Sequence, residues 1–226
     1  MAELALVDPP EIIYRVARVE SGLRFSEITP EDSASGTSGN RYDVAGGGVL
    51  YAATEVRTCF AETLARFRPS PKIRSLLKEA DPAEAHFMVC GGVPQDWRLR
   101  RRIFELEAGA ALPFVDVEDP GTLTILEREL CSQLMSLGYA ENLDLADLRN
   151  KDRRLSRSIA EWVYVAQDAD GSPLYSGIRY CSRVDASKEC WAIFDGTPVV
   201  ERTRRSIELV DPDLETIAKL WDIRPF

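Results

Sequence analysis

Arg41-Tyr-Asp-Val-Ala-Gly-Gly-Gly48-Val-Leu-Tyr51-Ala-Ala-Thr-Glu-Val-Arg-Thr-Cys-Phe-Ala-Glu62 compresses a loop, a strand and the start of a helix into one run. The loop spans Asn40 to Gly48. Its three successive glycines lack a Cβ, so the backbone there can turn sharply or lie against a ligand. Gly48-Val-Leu-Tyr-Ala-Ala53 predicts a short buried strand, apolar and bounded by turn residues. Thr54 is the expected N-cap of the helix that follows. On that helix Val56, Phe60, Leu64 and Phe67 form one apolar stripe, and Glu62 falls nearly opposite it.

Upstream, Ile12-Ile-Tyr-Arg-Val16 predicts a strand with Arg15 opposite Tyr14 and Val16. Residues 1–10, ending in Pro9-Pro10, read as a loose leader to a single domain over 11–226. Residues 26–48 are polar and aperiodic, a long loop that is either functional or a surface excursion. Downstream, Pro69 and Pro71 stop the Glu62 helix, a short helical stretch follows over Lys72–Ala80, and Ala85–Cys90 predicts a strand. Trp97-Arg-Leu-Arg-Arg-Arg102 is a basic cluster that either faces a phosphate or forms a solvated surface. Leucines at helical spacing predict a helix over Thr122–Leu137 ended by Gly138, and a second runs over Arg153–Val165. The stretch from about 95 to 165 therefore reads as a helical insertion. Strands are expected at Leu174–Ser182, Cys190–Phe194 and Ser206–Val210, before a last helix capped by Asp213 and running through Trp221. Helices and strands mix without a βαβ rhythm, and no G-x-G-x-x-G follows a strand, so the expected class is α+β rather than a dinucleotide-binding doubly wound sheet.

Composition narrows the partners. The chain has 226 residues, is 45% hydrophobic and 29% charged, and carries a formal charge of −9. That charge repels phosphate backbones and anionic membranes, which argues against nucleic acid or a membrane as direct partner, while clustered arginines still allow a small anionic ligand. There is no apolar run of membrane-spanning length and no signal-peptide pattern at the N-terminus. Five cysteines without a C-x-x-C pair fit reduced thiols in a cytoplasm. The single histidine, His86, lies in an apolar run and reads as structural; no metal site is expected.

Arg41, Tyr51 ten residues on, Glu62 eleven further, and a late Gly177-Ile-Arg-Tyr-Cys-Ser182-Arg resemble the RES family, named for its Arg, Glu and Ser. Tyr14-Arg15-Val16 resembles that family's opening strand. The resemblance implies a mixed fold related to the ADP-ribosyltransferases. It implies a bacterial NAD-consuming protein, with NAD+ as substrate rather than cofactor, and often a toxin paired with an Xre-type antitoxin. The segment between Glu62 and Gly177 is longer than the compact toxins would suggest. It could block such a partner, form a homodimer face or lid the substrate.

The residue types suit that chemistry. NAD+ carries two negative charges on its pyrophosphate and a positive nicotinamide ring, and cleavage of its ribose–nicotinamide bond builds oxocarbenium character. Arg15 and Arg41 suit the pyrophosphate, because guanidinium forks pair phosphate oxygens. Tyr51 suits the cationic ring, through a cation–π term of about 0.5–2 kcal/mol. Glu62 suits the ribose 2′-hydroxyl and the developing cation, as a glycosidase carboxylate does. Ser182 either binds the dinucleotide or orients Glu62. It is not a triad nucleophile, having no G-x-S-x-G context. On its strand, Ser182 and Tyr180 should share one face and Arg183 the other. Each residue also has a bland reading: Glu62 pairing with Arg66 one helical turn on, Tyr51 in the core, Arg41 merely exposed, Ser182 ending a strand. Two alternatives to NAD+ glycohydrolase or phosphorylase activity stay open. One is ADP-ribosyl transfer to a protein or small molecule, and the other is a non-enzymatic interaction module.

Overall fold

The computed structural model describes residues 3–78, 90–109 and 111–226. His86 and the expected strand before Cys90 lie outside the described residues. The strands are β1 (Leu6–Val7), β2 (Ile13–Arg18), β3 (Ser26–Glu27), β4 (Gly48–Ala53), β5 (Gly92–Val93), β6 (Arg101–Glu107), β7 (Phe114–Asp116), β8 (Gly177–Cys181), β9 (Glu189–Phe194), β10 (Val200–Ser206) and β11 (Arg224–Pro225). The α-helices are α1 (Pro30–Ala34), α2 (Val56–Leu64), α3 (Pro71–Lys78), α4 (Gln95–Leu99), α5 (Pro120–Glu129), α6 (Cys131–Leu137), α7 (Leu145–Leu148), α8 (Arg154–Tyr164) and α9 (Pro212–Trp221). The main sheet has the order β1-β7-β8-β9-β4-β2-β6-β10, with β3 also paired to β4. It is antiparallel except for β7 with β8. The fold is α+β. Among the described residues no helix is long and apolar enough to cross a membrane.

Strand β4 sits mid-sheet between β9 and β2, and core packs on both its faces, Val49 and Ala53 on one and Leu50 and Ala52 on the other, which is why its sequence is a continuous apolar run rather than an alternation. One face of the sheet carries two groups of helices. Val49, Ala192 and Ile178 pack under α5, α6 and α8, whose Leu126, Leu134, Leu155, Ile159 and Val163 are buried. Ala53, Val16 and Ile103 pack under α2 and α9, through Phe60, Leu64, Leu214 and Ile217. Tyr180 touches both groups, and it therefore marks the seam between them. The opposite face buries Leu50, Ala52, Trp191 and Phe104.

Several expectations are corrected. The leader is not wholly loose: Leu6 and Val7 pair with Val115 and Phe114 as the sheet's edge. The stretch 95–165 is not a purely helical insertion, because β6 and β7 lie within it. Ile103, Phe104 and Leu106 are all buried, as befits an inner strand, so the alternation that marks a half-buried strand is missing there. The helix expected over 122–137 is two helices, broken at Leu130, where the backbone leaves the helical region (φ −101°, ψ 12°). Gly138 ends the second in the left-handed conformation at φ 92°. Thr54 does not cap α2; Glu55 holds that position, and the Thr54 hydroxyl instead accepts from Trp191 Nε1 at 3.0 Å. Asp211, not Asp213, caps α9, accepting from the amides of Asp213 and Leu214, with Pro212 in the first turn. The strand expected over 206–210 lies earlier, at β10, a polar edge strand whose exposed side chains show no period-two signal.

Candidate functional site

Strands β2 and β4 share one registered pair, Tyr14 with Ala53. Beyond it the Arg15 guanidinium spans the opening, donating to the carbonyls of Tyr51 at 3.4 Å and Arg24 at 3.1 Å. A cavity of about 550 Å³ lies there, on the seam between the two helix groups. Arg15, Arg41, Tyr51 and Glu62 all line it, and Ser182 stands directly behind Glu62. Residues from β2, the 26–48 loop, β4, α2 and β8 are thus brought together around one hollow.

The hollow is strongly cationic in a chain of net charge −9. Arg15, Arg24, Arg41, Arg153 and Arg183 line it against two carboxylates, Glu27 and Glu62. Burial lowers the pKa of Arg15 from its ordinary value, but a guanidinium keeps its charge at neutral pH. Arg41 is only partly free. Its two terminal nitrogens donate to the carbonyls of Leu148 (2.9 Å) and Arg149 (3.3 Å), the C-terminal end of α7, where a cation meets the negative end of the helix.

Glu62 is exposed to the cavity and does not pair with Arg66; the Arg66 guanidinium lies 4.8 Å from the centre of the Phe67 ring instead. The Ser182 hydroxyl donates to Glu62 Oε1 at 2.6 Å. That direction is enforced, because the amides of Val184 (3.2 Å) and Asp185 (3.4 Å) donate to Ser182 Oγ, leaving its own hydrogen for the carboxylate. One oxygen of Glu62 is thereby held and the other is left for a ligand.

Tyr51 presents its ring to the cavity while its hydroxyl points into a buried network. That hydroxyl donates to Asp43 Oδ1 at 2.8 Å and accepts from the Tyr42 amide at 3.1 Å. Burial and then the Asp43 carboxylate push its pKa well above the ordinary phenol value, so Tyr51 is a neutral, fixed ring and not a proton shuttle. Asp43 is itself 1% exposed and also accepts from the Asn40 amide at 2.6 Å, which ties the loop to the strand. Cys59 and Cys190 line the wall, and burial raises both thiols, Cys59 to about 12, so neither is a thiolate nucleophile. Among the described residues no cluster of three His, Cys, Asp or Glu side chains could hold a metal ion.

Three contributions escaped the sequence reading. Arg183 lines the cavity rather than turning away, because β8 ends at Cys181 and strand alternation no longer governs the chain beyond it. Arg153 and Arg157 at the start of α8 grip the long loop. Arg157, 4% exposed, donates to the carbonyls of Asp32, Ser33, Ser35, Ser38 and Asn40, and Arg153 to those of Thr37, Ser38 and Gly39. The only local sign of this was a run of arginines beside an apolar helix stripe, which is equally a solvated face. Tyr180, packed 4.7 Å from the Tyr42 ring, completes the wall.

No curated protein matches the chain. Among solved structures it is similar to a chain in the crystal structure of the M. tuberculosis MbcT–MbcA toxin–antitoxin complex, with 11% identity and a TM-score of 0.48 over 89% of this chain and 86% of that one. Residues 12–215, which span every wall of the cavity, match the RES domain, and the chain belongs to the RES domain family.

Proposed function

We propose that this chain cleaves the bond between nicotinamide and ribose in NAD+, and that it acts in the cytoplasm as the toxin of a toxin–antitoxin pair. The observation that carries the cleavage reading is the Glu62–Ser182 pair on the wall of a cavity lined by five arginines. Arginine forks from several directions suit a pyrophosphate, whose charge the net-negative chain would otherwise repel. Tyr51, neutral and fixed, offers a face to the nicotinamide ring. Glu62 accepts from the ribose 2′-hydroxyl and stabilises the positive charge that grows on the sugar. The C1′–N bond breaks with its electron pair passing to nicotinamide, which leaves neutral; water or phosphate adds to C1′ and loses a proton. Charge that favours the transition state over the bound substrate raises turnover, so Glu62 acts on kcat more than on binding.

The toxin reading rests on family membership, which also supports an Xre-type antitoxin as partner. Glu62 is exposed at the cavity among the described residues, which supports an enzymatic site over a non-enzymatic interaction module. Transfer of ADP-ribose to a macromolecule is the competing outcome of the same bond cleavage. The purified chain is incubated with NAD+ labelled in the adenylate half, and free nicotinamide is followed with water alone and with added phosphate. Nicotinamide release with label left on small molecules supports hydrolysis or phosphorolysis, label on protein supports transfer, and no release in any arm removes the proposal.

A further inference from the structure

A second cleft, of about 470 Å³, opens beside the first and shares Arg15, Val16, Ser21 and Thr63 with it. Its other walls carry Arg18, Arg66, Arg101 and Trp97, and no carboxylate lines it. Arg18 and Arg101 are directly opposed across the antiparallel β2–β6 pair, so their side chains leave the same face of the sheet. Arg66 reaches them from the turn after α2. Like charges placed directly opposite each other destabilise a sheet. Among the described residues none of the three has a salt-bridge partner. The carboxylates whose charge reaches Arg101 are Asp96 and Glu20, and Asp96 is already bound to Arg100 at 2.7 Å. Burial, then Arg66 and Arg18, lower the pKa of Arg101, the mark of a cation held among cations. Packing holds two of the guanidiniums: Arg101 lies 4.9 Å from the centre of the Trp97 ring and donates to the Trp97 carbonyl at 3.1 Å, and Arg66 lies 4.8 Å from the centre of the Phe67 ring. A guanidinium carries five N–H donors, so Arg101 keeps others beyond the one given to Trp97.

We propose that this cleft is a phosphoryl subsite in which Arg18, Arg66 and Arg101 take a phosphate dianion adjoining the dinucleotide cavity, with Arg15 at the junction. A dianion with three terminal oxygens matches three forks better than a carboxylate does. The small cleft and the net charge of −9 argue against a nucleic-acid backbone. The phosphate is either free inorganic phosphate or a phosphoryl group on the dinucleotide, such as a 2′-phosphate. Only the second source depends on the NAD+ reading.

Calorimetric titrations of the full chain, at ionic strength held constant with chloride, use inorganic phosphate, NAD+ and 2′-phosphorylated NAD+ in separate arms. Saturable binding of inorganic phosphate assigns the free ion. Binding of the 2′-phosphorylated form about tenfold tighter than NAD+ assigns the dinucleotide. In either case Arg66→Gln and Arg101→Gln each weaken the phosphate-dependent arm about tenfold and leave NAD+ binding unchanged. Arg101→Gln also leaves Tm equal or higher, since it removes a like-charge pair, whereas a purely structural arginine would lower it. If no arm shows phosphate-dependent binding, or if the variants bind phosphate as the parent does, the subsite is overturned. If NAD+ fails to bind while inorganic phosphate binds and the variants weaken it, the subsite stands and the NAD+ reading falls.

Discussion

Replacing Ser182 with alanine tests the geometry of the site more sharply than removing the carboxylate itself. The Ser182 hydroxyl is 1% exposed and joins three groups: it donates to Glu62 at 2.6 Å and accepts from the amides of Val184 and Asp185. Alanine leaves two part-buried amides without this acceptor, at about 1–3 kcal/mol for an unsatisfied group and less where water reaches it. Both amide bonds are long, so the lower end applies. In a domain of this size about 2 kcal/mol corresponds to a Tm loss of about 4–8 °C. The chain should therefore still fold. The hydrogen bond to the carboxylate is charge-assisted and worth about 1.5–3 kcal/mol, so its loss should cut kcat about tenfold to a hundredfold while KM for NAD+ moves little. The assay is nicotinamide release by Ser182→Ala, Glu62→Gln and the double variant. If Ser182 works only through Glu62, the double variant is no slower than Glu62→Gln alone. Rate losses that multiply would refute this, as would an unchanged kcat in Ser182→Ala accompanied by the expected fall in Tm.

Four further outcomes follow from the structure. Glu62→Gln keeps size and hydrogen bonding at an exposed position, so Tm should hold within about 2 °C, as a change within ±0.5 kcal/mol implies, while nicotinamide release falls to a small residual rate. Arg157→Met removes one donor from each of five carbonyls, of which Ser38 keeps Arg153 and Asp32 keeps the Ser35 amide, and should cost about 3 kcal/mol; limited proteolysis then cuts within residues 32–40, and NAD+ binding weakens because Asn40 and Arg41 ride on that loop. An intact loop in that variant would show the clamp to be dispensable. Gly177→Ala would put a Cβ 2.0 Å from the Ala192 carbonyl oxygen, at φ 155°, so the β8–β9 pairing must shift and Tm should fall by about 10 °C or the chain fail to accumulate. Stability should also fall in alkali. The Cys59 thiol is held up to about 12, and burial keeps the Tyr51 and Tyr180 phenols well above their ordinary values, so the folded chain binds these protons more tightly than the unfolded one. Their stabilisation is complete below the unfolded values, about 8.5 for a thiol and about 10 for a phenol, and is lost as pH rises towards the folded ones. Urea unfolding from about pH 7 to about pH 11 should show a decreasing free energy, and a flat profile would contradict the buried network.

The 26–48 loop shows where local reading stops. Its polarity and lack of period marked it as a loop, but whether it was loose or held could not be read from within it. The donors that hold it are on α8, more than a hundred residues away. Strand β6 shows a second limit. Its charged start and doubly buried middle carry neither a helical nor a two-residue period, and its place beside β2 follows only from the assembled sheet. Thr54 and Asp213 mark a smaller one, since a capping residue and its near neighbour have the same chemistry and the backbone turn decides between them.

By itself the sequence determined the α+β class, the buried strand that carries Tyr51, the apolar stripe of α2, and a set of residue types in family order. Each of these depends on periodicity or chemistry inside a short window. Only the tertiary structure decided that Glu62 meets Ser182 across 120 positions of chain, that Arg41 is half spent on the end of α7, and that arginines from five segments face one hollow in a negatively charged protein. The physical reason is that a side chain's partner is set by the strand order and by which helices cover which face of the sheet. No local pattern encodes the gap where β2 and β4 stop pairing.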